Sequence, residues 1–180
     1  MRRRHLLAGL ASVGALGGAG AVATGSVPGA LGGGASEAIE PVTIRTIDAP
    51  GSRDGEVTIP ADRRPTFVDF FGTYCSPCIE QMPDLGEAAD HVGDEVLFVS
   101  VTNEDVGGAM PEEQLVNWWE EHDGDWLVAA DVTAALAGKF SISGYPTAIV
   151  LDASGRVTWR ESGKHTADEI VAGIETAIDR

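Results

Sequence analysis

The sequence predicts a mixed α/β sandwich, because segments typical of strands alternate with segments typical of helices along most of its length. Short apolar runs at 67–71 and 96–101 have the length and composition of buried strands. Apolar residues at helical spacing follow the first of these runs and also close the chain. A chain of 180 residues has ample material for one domain with its own core.

The first half is predicted from its periodicity and its turn signals. Alternating apolar and polar residues at 42–47 and 56–59 flank a turn-rich segment, which favours a hairpin or two short edge strands. The buried strand 67–71 then leads into a helix for which Gly93 is the stop signal. The apolar positions of this helix are Cys78, Met82, Leu85, Ala89 and Val92.

The second half continues the alternation and then closes with a hairpin and a helix. One of the adjacent residues Trp118 and Trp119 is expected in the core and the other partly buried, because neighbours on a helix point about 100° apart. The last helix begins with a capping box at 166–169. Its buried residues are expected to be Ile170, Ile174, Ala177 and Ile178. The other predicted strands are 126–129, 148–151 and 157–161, and the other predicted helices are 111–124 and 133–140.

The only two cysteines form the motif Cys75-Ser76-Pro77-Cys78, where the strand 67–71 ends and a helix begins. The first turn of a helix has unpaired N–H groups and the positive end of the helix dipole, so it favours a thiolate. The pKa of a cysteine there can fall from roughly 8.5 to about 3.5–7.5. We therefore expect Cys75 to be the attacking thiolate and Cys78 to be the resolving thiol.

Two other interpretations of the cysteine pair are weaker. A purely stabilising disulfide closes a very small ring and removes only about 2 kcal/mol of unfolded-state entropy, against about 3 kcal/mol for a 15-residue loop. A structural zinc site needs four ligands, and the chain has no second cysteine pair. Beyond the N-terminal segment, which contains His5, the histidines His91, His122 and His165 have no ligand spacing. Redox chemistry is favoured, and no metal site is predicted.

Asp69 is an unexpected residue, because it interrupts the apolar strand 67–71. A carboxylate in a buried strand is costly unless it is neutral or has a partner. Burial raises the pKa of such a group, which suits a base that takes a proton from Cys78 and later returns it. A buried Asp that only binds backbone groups is the alternative.

Composition and charge limit the partners of the protein. All 28 acidic residues lie at or beyond Glu37, whereas three of the twelve basic residues are Arg2, Arg3 and Arg4. The remaining chain carries 28 acidic and 9 basic residues, a formal net charge of −19. Such a surface should repel nucleic acid and anionic lipid. A halophilic acidic surface is our leading interpretation, and an ordinary acidic protein is the alternative.

The N-terminus predicts export. Residues 1–23 combine a charged start, a modest apolar middle and small residues, and 3–7 resemble the twin-arginine export signature. Glycines make this segment a poor permanent membrane helix, but an uncleaved anchor stays open. Residues 24–40 are rich in Gly, Ala and Ser and are interpreted as a linker before the domain 41–180. The protein is expected outside the cytoplasm, secreted or tethered to the outer face of the cytoplasmic membrane.

These features resemble the thioredoxin superfamily, and specifically its exported TlpA/ResA-like branch. The resemblance rests on the strand–CxxC–helix order, on Pro83 within the helix, and on Gly144-Tyr145-Pro146-Thr147 before a strand. The extra helix and strand at 111–129 resemble the insertion of this branch. The resemblance implies a three-layer α/β/α sandwich with an N-terminal hairpin extension and a helix–strand insertion.

The resemblance also implies roles for individual residues. Cys75 and Cys78 would be the redox disulfide, Asp69 the proton carrier, and Pro146 the cis-proline that places the backbone of Tyr145 beside Cys75. An extended peptide could pair with that backbone. The residues expected to contact substrate are Tyr74, Ser76, Pro77 and Tyr145. No cofactor is implied.

The chain departs from the branch at three positions. Tyr74 stands where most members have tryptophan, and Gln81 stands where a glutamate is common, with Glu80 beside it. The chain also keeps Asp69, which many of these proteins lack. The proton carrier therefore resembles that of thioredoxin within a TlpA-like framework.

The expected function is an exported thiol–disulfide oxidoreductase that reduces or exchanges disulfides in extracytoplasmic proteins. A membrane electron donor of the thiol-reductant type and a monomeric state are expected. A disulfide-inserting oxidase would use the same residues. A peroxiredoxin-like peroxidase is disfavoured because Gly72 stands where its threonine is expected. A copper-binding chaperone would need a histidine such as His165 near Cys75.

Overall fold

The computed structural model describes residues 37–178, which belong to one compact unit. The predicted export signal at 1–23 and most of the predicted linker lie outside the described residues. The strands are β1 (Val42–Thr46), β2 (Gly55–Ile59), β3 (Thr66–Phe71), β4 (Leu97–Thr102), β5 (Leu127–Ala130), β6 (Thr147–Leu151) and β7 (Val157–Ser162). The helices are α1 (Ser76–Val92), α2 (Glu112–Glu121), α3 (Ala135–Lys139) and α4 (Ala167–Ile178). Between residues 37 and 178, no helix combines the length and the apolar character that crossing a membrane requires.

The seven strands form one sheet in the order β2-β1-β5-β4-β3-β6-β7. Strands β3, β4 and β5 run parallel, whereas β6 and β7 and the β1–β2 hairpin run antiparallel to their neighbours. Strand β3 lies between β4 and β6, and all six of its residues are buried. This burial explains the apolar run at 67–71, because a strand covered on both faces has no polar side.

The sheet separates two apolar clusters, one on each face. Side chains of α1, α2 and α4 pack with Phe67 and Phe71 of β3 on one face. Side chains of α3 pack with Val68 and Phe70 on the other face. Successive residues of a strand point to opposite faces, so Asp69 lies on the same face as Phe67 and Phe71. The predicted three-layer α/β/α sandwich, the N-terminal hairpin and the α2–β5 insertion are confirmed.

The tryptophan pair on α2 packs as predicted. Trp119 is fully buried, and its indole N–H donates a hydrogen bond to the Pro50 carbonyl oxygen at 3.1 Å. Trp118 is partly buried and stacks on Phe71 with 5.1 Å between ring centroids. A Cβ atom at Gly124 would lie 2.2 Å from the Trp119 ring, so only glycine fits there. Helix α2 thus supports the end of β3, four residues before Cys75.

Several details of the helices differ from the prediction. Ala88 is fully buried on α1 where Ala89 was expected, and Ala89 is only partly buried. Ile178 is 43% exposed because it lies in the last turn of α4, beside an open groove. Pro111 caps α2 with extended backbone instead of occupying its first turn. Helix α3 is shorter than expected because Ala134 has a left-handed conformation with φ of 53°.

Two glycines in helices give a matched test of this packing. A Cβ atom at Gly173 of α4 would lie 2.7 Å from the Trp159 ring, whereas one at Gly138 of α3 would have no described atom within 4 Å. We expect Gly173→Ala to lower the free energy of unfolding by about 1–3 kcal/mol through overpacking. Gly138→Ala should raise it by about 0.5–1 kcal/mol, because alanine favours the helix. Urea unfolding measures both changes, and a gain in stability for Gly173→Ala would contradict this packing.

Candidate active site

The two cysteines form a disulfide at the N-terminus of α1, with 5.2 Å between their Cα atoms. Cys75 is the N-cap residue, and its sulfur accepts a hydrogen bond from the Cys78 N–H at 3.3 Å. Cys75 is 8% exposed and Cys78 is 2% exposed. When the disulfide opens, the Cys75 sulfur therefore faces the unpaired N–H groups and the positive end of the helix. This environment favours its thiolate form over its thiol form.

Asp69 is buried on the face of β3 that α1 covers. Its Oδ2 atom accepts a hydrogen bond from the Ser100 hydroxyl at 3.1 Å, and the Trp126 indole N–H donates to that hydroxyl at 2.9 Å. Among the described residues, the Asp69 Oδ1 atom has no hydrogen-bond partner. Burial raises the pKa of Asp69 to about 7, and the Ser100 hydrogen bond only partly opposes this rise.

The Trp126 indole fixes the direction of the hydrogen bond between Ser100 and Asp69. An indole N–H can only donate, so the Ser100 oxygen accepts from it and keeps its own proton for Asp69. The register of the sheet sets this arrangement, because Asp69 lies directly opposite Ser100 in the β3–β4 ladder. Sequence reasoning missed both partners. A serine within the apolar strand 96–101 was the available signal, whereas nothing near Trp126 in sequence pointed to Asp69.

The segment before β6 lies beside the end of β3. Phe70 pairs with Thr147 across the β3–β6 ladder, and the Tyr145–Pro146 peptide bond is cis. Tyr145 is partly buried, and its hydroxyl donates a hydrogen bond to Asn103 Oδ1. A Cβ atom at Gly72 would lie 3.5 Å from the Tyr145 ring. The structure therefore brings the predicted Tyr145–Pro146 segment against the loop that leads to Cys75.

The other predicted contact residues lie on the outer side of the disulfide. Tyr74 is 74% exposed, the largest exposed fraction among the large apolar side chains of residues 37–178. Ser76 and Pro77 are also exposed. These three residues and the partly buried Tyr145 are accessible to a macromolecule that approaches Cys75.

Gln81 and His165 hold α1 against the segment before α4. Gln81 is fully buried, and its Oε1 atom accepts a hydrogen bond from the His165 N–H at 2.8 Å. The His165 ring packs edge-on against Trp159 with 5.4 Å between centroids.

Within residues 37–178, no group of three or more His, Cys, Asp or Glu side chains is arranged so that it could hold a metal ion.

The sequence matches one family profile and several relatives of known activity. The sequence profile of the Redoxin family matches residues 52–178. The thiol-disulfide oxidoreductase ResA of Bacillus cereus is 25% identical over 104 residues, which cover 58% of each chain. The chain thus spans less than two thirds of the length of this relative.

Solved structures share the fold. The crystal structure of StoA from Bacillus subtilis superposes with a TM-score of 0.64 at 19% identity, over 76% of this chain and 98% of that one. The exposed lipoprotein thioredoxin Etrx1 of Streptococcus pneumoniae also gives a TM-score of 0.64, at 20% identity and with the same coverage. These likenesses confirm the predicted thioredoxin-like fold.

The raised pKa of Asp69 predicts how the free energy of unfolding depends on pH. The native state keeps the Asp69 proton up to a pH of about 7, whereas the unfolded chain releases it near the ordinary pKa of 3.8. The free energy of unfolding should therefore fall as the pH rises from about 4 to about 7. In Asp69→Asn this pH-dependent loss should vanish. At pH 8 the oxidised variant should therefore be more stable than wild type by up to about 4 kcal/mol. At pH 4 the two proteins should have about the same free energy of unfolding.

Urea unfolding of the oxidised proteins at both pH values measures this difference. Asp90→Asn, which changes an exposed carboxylate on α1, is the matched control and should follow wild type. Equal stabilities of wild type and Asp69→Asn at pH 8 would contradict the raised pKa.

Proposed function

The chain belongs to the Redoxin family, and on this basis we propose that it is a thiol–disulfide oxidoreductase that reduces or exchanges disulfide bonds in other proteins. One observation carries the proposal: a disulfide at the N-terminus of α1 lies on the sheet face that also buries Asp69. The similarity to thiol-disulfide oxidoreductase ResA supports the same activity. A stabilising disulfide alone would not need a buried carboxylate of raised pKa on this face.

The reaction begins with the reduced protein. The Cys75 thiolate attacks one sulfur of a substrate disulfide, forms a mixed disulfide, and releases the other substrate sulfur as a thiolate that takes up a proton. Cys78 then loses its proton and attacks the Cys75 sulfur. The Cys75–Cys78 bond forms, and the second substrate sulfur leaves as a thiol. The substrate gains two electrons and two protons, and a dithiol reductant must reduce the protein again.

The two cysteines differ in their environment, which supports different roles. Cys75 caps the helix and is the more exposed of the two, so it is the sulfur that a substrate reaches. Cys78 is almost fully buried, so water has little access to its proton. Asp69 is a base with a pKa of about 7 on the same side of the sheet. We assign it the role of taking the Cys78 proton and returning it to the leaving sulfur.

The substrate is an extended protein segment that lies across the exposed side of Cys75. Tyr74, Ser76 and Pro77 form one wall of the proposed contact surface, and the partly buried Tyr145 forms the other, whereas Pro146 is buried beneath it. The backbone beside Pro146 would pair with the segment in the manner of an added strand. Main-chain pairing of this kind accepts many sequences, which suits an enzyme that acts on several proteins.

The cellular setting is also a proposal. The leader-like residues 1–23 and the net charge support an exported protein, outside the membrane or tethered to it, in a high-salt environment. Disulfide bonds form and persist in the oxidising environment outside the cytosol. We propose that the protein acts as a monomer without a bound cofactor, and that a membrane thiol donor supplies its electrons.

Substitution of single cysteines tests the order of attack. Cys78→Ser should accumulate a mixed disulfide with a protein substrate, because the resolving thiol is missing, whereas Cys75→Ser should form none. Electrophoresis without reductant and mass spectrometry of the adduct detect the difference. Adducts that form equally through Cys78 in the Cys75→Ser variant would contradict the assigned roles.

The direction of the reaction is tested by the reduction potential of the Cys75–Cys78 pair. A reductase should equilibrate at about −250 mV or lower, as thioredoxin-type reductants do. Thiol trapping across a graded dithiol buffer at high salt measures the value. A potential near about −120 mV would identify a disulfide-inserting oxidase instead, and a pair that does not cycle would contradict the enzyme proposal.

A further inference from the structure

Two neighbouring residues after β4, Asn103 and Glu104, contact the loop that precedes the disulfide and the loop that precedes β6. The Glu104 carboxylate accepts hydrogen bonds from the Thr73 backbone N–H and from the Thr73 hydroxyl, both at 2.8 Å. The Asn103 Oδ1 atom accepts a hydrogen bond from the Tyr145 hydroxyl. We call Asn103 and Glu104 the bracket, because they connect the loop that precedes the disulfide with the loop that precedes β6.

The Glu104 carboxylate is itself fixed by Thr102. The Thr102 hydroxyl donates a hydrogen bond to Glu104 Oε2 at 3.0 Å and accepts one from the Glu104 N–H at 3.2 Å. The carboxylate therefore accepts three hydrogen bonds in all. Hydrogen bonds to a charged acceptor are stronger than those between neutral groups. Thr73 is thus attached to the end of β4, which the sheet holds in place.

The contact on the other loop persists at neutral pH. Burial raises the pKa of the Tyr145 hydroxyl, and the proximity of Tyr74 and Glu104 raises it further. The hydroxyl therefore stays protonated and remains a donor to Asn103. A Cβ atom at Gly72 would lie 3.2 Å from the Tyr74 ring and 3.5 Å from the Tyr145 ring. The two loops therefore meet closely at this end of the sheet, and the bracket joins them from the side of β4.

We propose that Asn103 and Glu104 are positioning residues that set the spacing between these two loops and so decide how well a protein substrate is held against Cys75. The inference rests on the proposed function. A protein segment has to contact both loops at once, whereas a small disulfide only has to reach the Cys75 sulfur. A misplacement of about 1 Å can slow a reaction by about 10²-fold. The bracket should therefore matter for protein substrates and have little effect on small ones.

The test compares insulin with 5,5′-dithiobis(2-nitrobenzoate) as substrates of the reduced protein. Glu104→Ala removes both hydrogen bonds to Thr73, so kcat/KM for insulin should fall about tenfold or more, mainly through KM. Its rate with the small disulfide should change less than about twofold. Glu104→Gln keeps an acceptor oxygen and should recover most of the insulin rate. Asn103→Ala releases the other loop and should show the same substrate dependence as Glu104→Ala.

Controls separate this role from a purely structural one. Glu87→Ala removes an exposed carboxylate from α1 and should leave both rates unchanged, and thermal unfolding shows that each variant is folded. If Glu104→Ala does not fold, Glu104→Gln and Asn103→Ala carry the comparison. Equal losses with both substrates, or an unchanged insulin rate, would overturn the inference. Wild-type protein that reacts with neither disulfide would instead contradict the proposed function.

Discussion

Strand β3 pairs with β4 on one side and with β6 on the other, and this double pairing brings together the strand ends at the candidate site. The ladders place Asp69 opposite Ser100 and Phe70 opposite Thr147. As a result, the loops after β3 and β4 and the loop before β6 lie at the same end of the strands. The disulfide, the bracket and the Tyr145–Pro146 bond are neighbours only because both ladders are intact.

Burial of Asp69 in the same strand has an energetic cost, and the proposed chemistry would use this buried group. Ionised Asp69 has one hydroxyl as its partner, and none of the ion pairs within residues 37–178 includes it. The fold is therefore less stable when this carboxylate is charged. A base with a pKa near neutrality is nevertheless what proton exchange with a thiol requires. On α1, the neutral Gln81 holds the segment before α4 without adding a buried charge of its own.

The sequence was sufficient to single out the groups to which we assign the chemistry, but not the contacts that hold them. Asp69 stood out because a charged residue in an apolar run is rare, and the cysteines stood out by their spacing. Glu104 had no such signal, since an acidic residue in a polar loop of an acidic protein is ordinary. Its contact with Thr73 joins residues 31 positions apart, and the contact between Asn103 and Tyr145 joins residues 42 positions apart.

By itself, the sequence determined the order of strands and helices, the mixed α/β class and the placement of Cys75 at a helix N-terminus. These properties follow from local periodicity, capping residues and spacing, which act over a few residues. Only the tertiary structure decided that Ser100 and Trp126 hold Asp69 and that the bracket joins two loops. The alignment of strands far apart in the chain sets such contacts, and register depends on the packing of the whole sheet.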